Sequence, residues 1–178
     1  LRADYLWIGG DRLGFSAAPG LTPRSKAMTY HDSFFYQAMV LNSSGIPLSG
    51  YATSGIIRTK PAPGDTAALD LSGESLREWT DNLVLTVGRG CGLIEMFLDP
   101  DLLDEGRRRA LDRVLAWARE NREPLMAPAS RMIGSNPAVG DPYGYVHSDG
   151  RRGLIFLRNP FPEPKKIKID LPRDLGPA

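Results

Sequence analysis

Apolar residues fall in short runs divided by glycine- and proline-bearing stretches, and the spacing within the runs switches between strand-like and helix-like. Tyr5-Leu-Trp-Ile8 reads as a β-prone run stopped by Gly9-Gly10, and Asp11 to Pro23 as a long loop. From Ser25 to about Asn42 the residues Met28, Phe34, Phe35, Ala38, Met39 and Leu41 recur near helical spacing, and Asn42-Ser-Ser-Gly45 supplies a stop. Tyr51 to Ile57 is a second strand, followed by a Pro/Gly-rich loop. Ser75-Leu-Arg-Glu78 has the spacing at which a serine hydroxyl and a glutamate carboxylate satisfy free amides of a first helical turn, so a helix should run from there to about Val87. Leu93 to Leu98 is a third strand. Leu111, Val114, Leu115 and Ala118 make one stripe on a helix from about Leu103 to Asn121, with acids in its first turns and arginines at its end.

Beyond Pro124 the pattern changes. Met126 to Pro142 reads as loop, Tyr143 to His147 and Gly153 to Arg158 as strands around Ser148-Asp-Gly-Arg-Arg152, and Lys165 to Leu171 as a third alternating strand. Three strand-then-helix units favour a parallel sheet, and the tail favours an antiparallel one. The expected fold class is therefore α/β, with a boundary that divides the chain into 1–125 and 126–178. Three such units are too few to close a barrel of about 250 residues. The missing units must come from elsewhere, or the sheet stays open.

At 178 residues, 42% of them apolar, the chain can bury a core, and its net charge of +1 with no basic stripe argues against nucleic acid as a partner. Arg107-Arg-Arg109 reads as a solvated helix face. One cysteine, Cys91, excludes an internal disulfide framework and a Cys-rich metal site, and no apolar run approaches the roughly twenty residues of a membrane span. His31 and His147 lie in different regions with no metal-ligand spacing between them, so neither a metal nor a cofactor is expected. The start, Leu1-Arg-Ala-Asp-Tyr-Leu-Trp-Ile8, reads as a strand already in progress with no initiator methionine, as in a piece of a longer chain.

Among candidate chemical groups, Glu95 stands out as a lone carboxylate in an apolar strand. It must either pair, with Arg58 or Arg89, or reach a polar cavity. Tyr30, His31 and Asp32 sit where a helix start would present them to a ligand, or else cap and pack. Trp7 is a stacking platform or a core residue, and Asp4 a strand-start cap or a second carboxylate. Asp11, in a glycine-rich loop, reads from its surroundings alone as a turn residue. Trp79 and Trp117 read as core, and Cys91 has no histidine near it in sequence to activate it as a nucleophile.

The succession Asp4-Tyr-Leu-Trp-Ile-Gly-Gly-Asp11, Met28-Thr-Tyr-His-Asp32, Gly50-Tyr-Ala-Thr-Ser-Gly-Ile56 and Leu93-Ile-Glu-Met-Phe-Leu-Asp-Pro100 resembles the C-terminal half of α-galactosidase-like, melibiase-type glycoside hydrolases, especially bacterial enterotoxin-like members. Tyr143-Gly-Tyr145 and Arg152-Gly-Leu-Ile-Phe-Leu-Arg-Asn-Pro160 are similar to the passage from barrel to β-sandwich in that family. The resemblance implies the last three or so units of a TIM-type (β/α) barrel followed by the start of a β-sandwich. It also implies a retaining hydrolase of α-glycosidic bonds, with a carbohydrate substrate, the missing N-terminal part of the barrel as partner, and an extracellular or periplasmic setting. Asp11 falls at the family's acid/base position, while the nucleophile belongs to an earlier strand, which makes this chain alone catalytically incomplete. Asp4, Trp7, Tyr30, Asp32 and Glu95 are the implied pocket residues. A non-catalytic glycan-binding or scaffold module of the same architecture is the alternative, and an unrelated α/β domain with a small-molecule pocket a third reading.

Overall fold

Three strands add to one another in chain order to make a parallel sheet: β1 (Leu6–Ile8), β2 (Tyr51–Arg58) and β3 (Leu93–Leu98), with β2 in the centre. The protein is seen in a computed structural model that describes residues 6–8, 21–60 and 70–170. Between the strands lie α1 (Pro23–Tyr36), which passes into a π-helical turn at Gln37–Leu41, and α2 (Leu76–Gly88). After β3 come α3 (Glu105–Glu120) and the single turn α4 (Arg122–Leu125).

The helix starts are written in local chemistry. Thr22 caps α1, its hydroxyl accepting from Ser25 N at 3.2 Å, with Pro23 at the first helical position where no donor is missed. Ser75 and Glu78 form the reciprocal box expected for α2: Glu78 N donates to Ser75 Oγ at 3.2 Å and Ser75 N to Glu78 Oε2 at 2.9 Å. Asp104 caps α3 through Arg107 N.

Two apolar clusters fasten these helices to the sheet. Ile56 of β2, Trp79 and Leu83 of α2, Leu103 and Ala110 form one, with Ile94 and Leu98 of β3 packed against it. Met28 and Phe35 of α1, Leu85, Tyr51 and Cys91 form the other, together with Met132, Tyr143 and Tyr145 from beyond residue 125. α1, α2 and α3 thus pack side by side. Among the described residues β1 and β3 are the outer strands, and on β3 Leu93, Met96 and Phe97 are 46%, 46% and 49% exposed.

The C-terminal region is a three-stranded antiparallel sheet, β4 (Arg131–Gly134), β5 (Tyr143–Ser148) and β6 (Gly153–Arg158), in that order. β5 and β6 stand where the sequence places them. The third strand does not: Lys165 to Asp170 is without strand structure, and its place is taken by β4, inside the stretch that reads as loop. A four-residue strand in a Pro/Gly-rich segment has too little local signal of its own. It exists because Met132 can pair with Tyr145 and bury its side chain in the shared cluster.

Candidate functional site

In a parallel sheet, functional groups collect at the C-terminal strand ends, here Arg58 of β2 and Leu98 of β3. Just beneath that rim lies Glu74, almost wholly buried between two arginines: Arg24 Nε donates to Oε1 at 2.5 Å and Arg58 Nη1 to Oε2. Each arginine also grips backbone, Arg24 Nη2 at Ile57 O and Arg58 Nε at Leu102 O, both at 2.8 Å. Arg107 of α3 reaches Glu74 O. One carboxylate therefore ties together the start of α1, the tip of β2 and the connections that lead into α2 and α3. Above it, in solvent, Lys60 Nζ lies 3.5 Å from Asp99 and 3.7 Å from Asp101, the two acids that follow β3. Sequence reasoning passed over Lys60, Glu74 and Asp99. For Asp99 the signal was present, an acid and a proline directly after an apolar strand.

Glu95 is half-buried on β3, on the sheet face opposite the helices, because its neighbours Ile94 and Leu98 are the ones packed against α2 and α3. The arginines suggested as its partners form their ion pairs elsewhere, Arg58 with Glu74 and Arg89 with Asp32. Facing Glu95 across the ladder, β2 carries an irregularity. Thr53 aligns with Ile94 and Ile56 with Met96, so Ser54 and Gly55 together oppose the single residue Glu95.

Tyr30, His31 and Asp32 do not begin a helix; they lie in the middle of α1, which starts at Pro23. Tyr30 packs edge-on against Phe34. His31 Nε2 lies 2.9 Å from Thr53 Oγ1. Asp32 is entirely enclosed: Oδ1 accepts from Arg89 Nε at 2.7 Å and from the Tyr145 hydroxyl at 2.7 Å, and Oδ2 accepts from the Tyr143 hydroxyl. Arg158 backs this arrangement, donating to Tyr143 Oη and Thr29 Oγ1 at 2.8 Å. Burial alone would raise the Asp32 carboxyl, but Arg89 and the three hydrogen bonds outweigh it and hold the group below its ordinary range. The same burial pushes both tyrosine hydroxyls up, so the carboxylate is charged and its donors keep their protons. With its oxygens filled and no exposed surface, Asp32 belongs to the framework and does not reach a ligand.

Asp4 and Asp11 lie outside the described residues, and Trp7 is placed by its backbone alone, on β1 opposite Ala52. Among the described residues no three His, Cys, Asp or Glu side chains are grouped to hold a metal, and no helix is long and apolar enough to cross a membrane. His147 is buried with Nε2 2.7 Å from Gly88 O, and burial lowers its pKa. A groove of about 550 Å³ between α1, α2 and β6 is lined by Met28 and Leu85 among others; of its arginines, Arg24 and Arg158 are engaged as above, while Arg77 is exposed and lies 3.8 Å from Asp81.

No protein-family model matches the chain, and neither a curated protein nor a solved structure does.

Proposed function

We propose that this chain is the C-terminal part of the catalytic barrel of a retaining, α-galactosidase-like glycoside hydrolase, followed by the first strands of its β-sandwich. The observation that carries the reading is the strand order. When parallel strands join in chain order and every crossover has the usual right hand, all the helices fall on one face, as in a closed barrel; a doubly wound sheet needs a reversal of order. Here α1, α2 and α3 pack together on one side of β1-β2-β3, which leaves Glu95 on the other, the side a barrel would enclose. The half-exposed apolar residues of β3 suit an edge that further barrel strands cover.

In this reading the substrate is an α-glycoside. Asp11 protonates the leaving oxygen and then activates water, and a carboxylate on an earlier strand attacks the anomeric carbon, the two groups being about 5 Å apart. Glu95 contributes to the pocket wall, and the buried Glu74 pair stiffens the rim around it. The test is Asp11→Asn in the full-length protein, assayed on aryl α-galactosides with good and poor leaving groups. Turnover of the poor leaving group should fall by about 10²–10⁴-fold, the usual contribution of a general acid, and that of the activated substrate much less. Equal losses on both would remove Asp11 from that role. Binding of galactosides without any hydrolysis by the wild type would replace the enzyme reading with the glycan-binding one.

A further inference from the structure

We infer that Lys60 and Asp99, beyond the C-terminal tips of β2 and β3, form a sugar-binding pair at the barrel mouth: the ammonium donates to one hydroxyl of the glycoside and the carboxylate accepts from its neighbour. The inference deepens the glycosidase reading and rests on it.

The local sequence fixes Asp99. The proline that follows confines it to extended backbone, and it adopts φ −88° and ψ 115°. Asp99 N donates to Arg58 O at 2.9 Å, so the ladder between β2 and β3 runs one residue past the strand. Oδ1 accepts from Asp101 N at 3.0 Å and caps the single 3₁₀ turn Pro100–Leu102, whose last carbonyl is held by Arg58 Nε at 2.8 Å. That leaves Oδ2, which lies 3.5 Å from Lys60 Nζ. Leu98 packs toward α2 and α3, so alternation along the extended backbone carries the Asp99 side chain to the other face, the one a barrel would enclose.

The pair is open where the rest of the rim is closed. The Lys60 side chain is 63% exposed and that of Asp99 24%, while Glu74 and its two arginines are buried beneath them. Lys60 Nζ also lies 3.7 Å from Asp101. Both separations exceed the distance of a well-formed N–H···O bond, about 2.7–3.2 Å, so charge holds the ammonium between two acids and its donors stay available to a ligand. An exposed ion pair of this kind adds little to stability, and the buried Glu74 group already ties the rim together. What the pair supplies is a set of donors beside an anionic acceptor, at the end of the sheet where parallel strands bind their ligands. A charged ligand would be attracted by one partner and repelled by the other. Neighbouring hydroxyls of a neutral sugar, each able to donate and to accept, satisfy both.

The test uses the full-length protein and 4-nitrophenyl α-D-galactopyranoside, with methyl α-D-galactopyranoside as a binding probe. Lys60→Met keeps the aliphatic stem and removes the donors. Asp99→Asn keeps the Oδ1 cap and turns the acceptor beside Lys60 into a donor. Each should weaken probe binding about 10- to 100-fold, the worth of a hydrogen bond to a charged group, and raise KM more than it lowers kcat, with the urea midpoint of the wild type kept. Lys60→Arg, which keeps the charge and the donors, should retain most of the affinity. Unchanged KM and probe affinity in both variants of a wild type that cleaves the substrate would overturn the pair and leave the glycosidase reading standing. Losses that come with a lowered urea midpoint in both variants would overturn it in favour of a structural role. A wild type that binds the probe without cleaving the substrate, and loses that binding in both variants, would keep the pair and remove the enzyme; one that neither binds nor cleaves would overturn both.

Discussion

Asp32 of α1 and Arg89, which ends α2, meet at 2.7 Å in a place that neither shares with solvent, although 57 positions separate them in the chain. Two tyrosines from β5 complete the carboxylate's shell, so this one pair joins the parallel and antiparallel halves of the molecule.

Asp32→Asn should therefore be among the more damaging single changes in the chain. It strips the charge that compensates a buried guanidinium, a loss of about 3–5 kcal/mol when one partner of an enclosed pair is removed. Urea unfolding followed by tryptophan fluorescence will read it as a lowered midpoint. A loss below about 1 kcal/mol would mean that Arg89 finds another partner or reaches water.

Acid should act through the same group. A carboxyl whose folded-state pKa lies below its unfolded value contributes stability that is fully present above the unfolded value, near 3.9 for aspartate, and is lost as pH falls through the folded one. The Asp32 carboxyl is held low despite its burial, so the wild type should lose stability on acidification through and below the ordinary carboxylate range. Asp32→Asn, less stable throughout, should show a shallower slope there, measurable from urea midpoints at a series of pH values.

Cys91 offers a readout of the same region. Burial pushes its thiol up to about 12, so at pH 8 it is both protonated and enclosed. A disulfide reagent such as Ellman's should label it at the rate at which the core opens, and at the free-thiol rate only in denaturant. Fast labelling under native conditions would show that the shared cluster is loose.

At the rim, Arg58→Lys can keep its charge beside Glu74 but cannot also hold Leu102 O through Nε. The expected cost is about 1–2 kcal/mol, with faster amide exchange concentrated at residues 99–103. Glu74→Gln leaves two enclosed arginines without a counter-charge, and should lower stability by about 3–5 kcal/mol and loosen residues on both sides of the rim together.

The caps provide a control of known scale. Ser75→Ala removes the acceptor for Glu78 N and should cost about 1 kcal/mol, while Ser75→Asp, which keeps an acceptor at that position, should cost little.

What could be read without coordinates was whatever is written locally. The Ser75–Glu78 box, the apolar stripe of α3 and the strands β2, β3, β5 and β6 all announce themselves within a few residues. Lys165 to Asp170 shows the limit of such reading: its alternation is that of a strand, but no ladder forms there. β4 shows the converse, a strand made by its partner. The Asp32 cluster was legible only in part. An acid within the apolar pattern of α1 and the Tyr-x-Tyr spacing of β5, which puts two hydroxyls on one face, were both visible; that they meet depends on contacts spanning 111 and 113 positions. Glu95 stands out in the sequence by its chemistry, but the arginines that look available to it along the chain, Arg58 and Arg89, are taken by Glu74 and Asp32.

The apolar cluster that draws Met28 and Phe35 from one side of residue 125 and Met132, Tyr143 and Tyr145 from the other bears on how such a molecule can change over evolutionary time. A C-terminal unit attached by a tether can be swapped for another by recombination. This one shares its apolar core with α1, so exchanging it for another would require α1 to be rewritten to match.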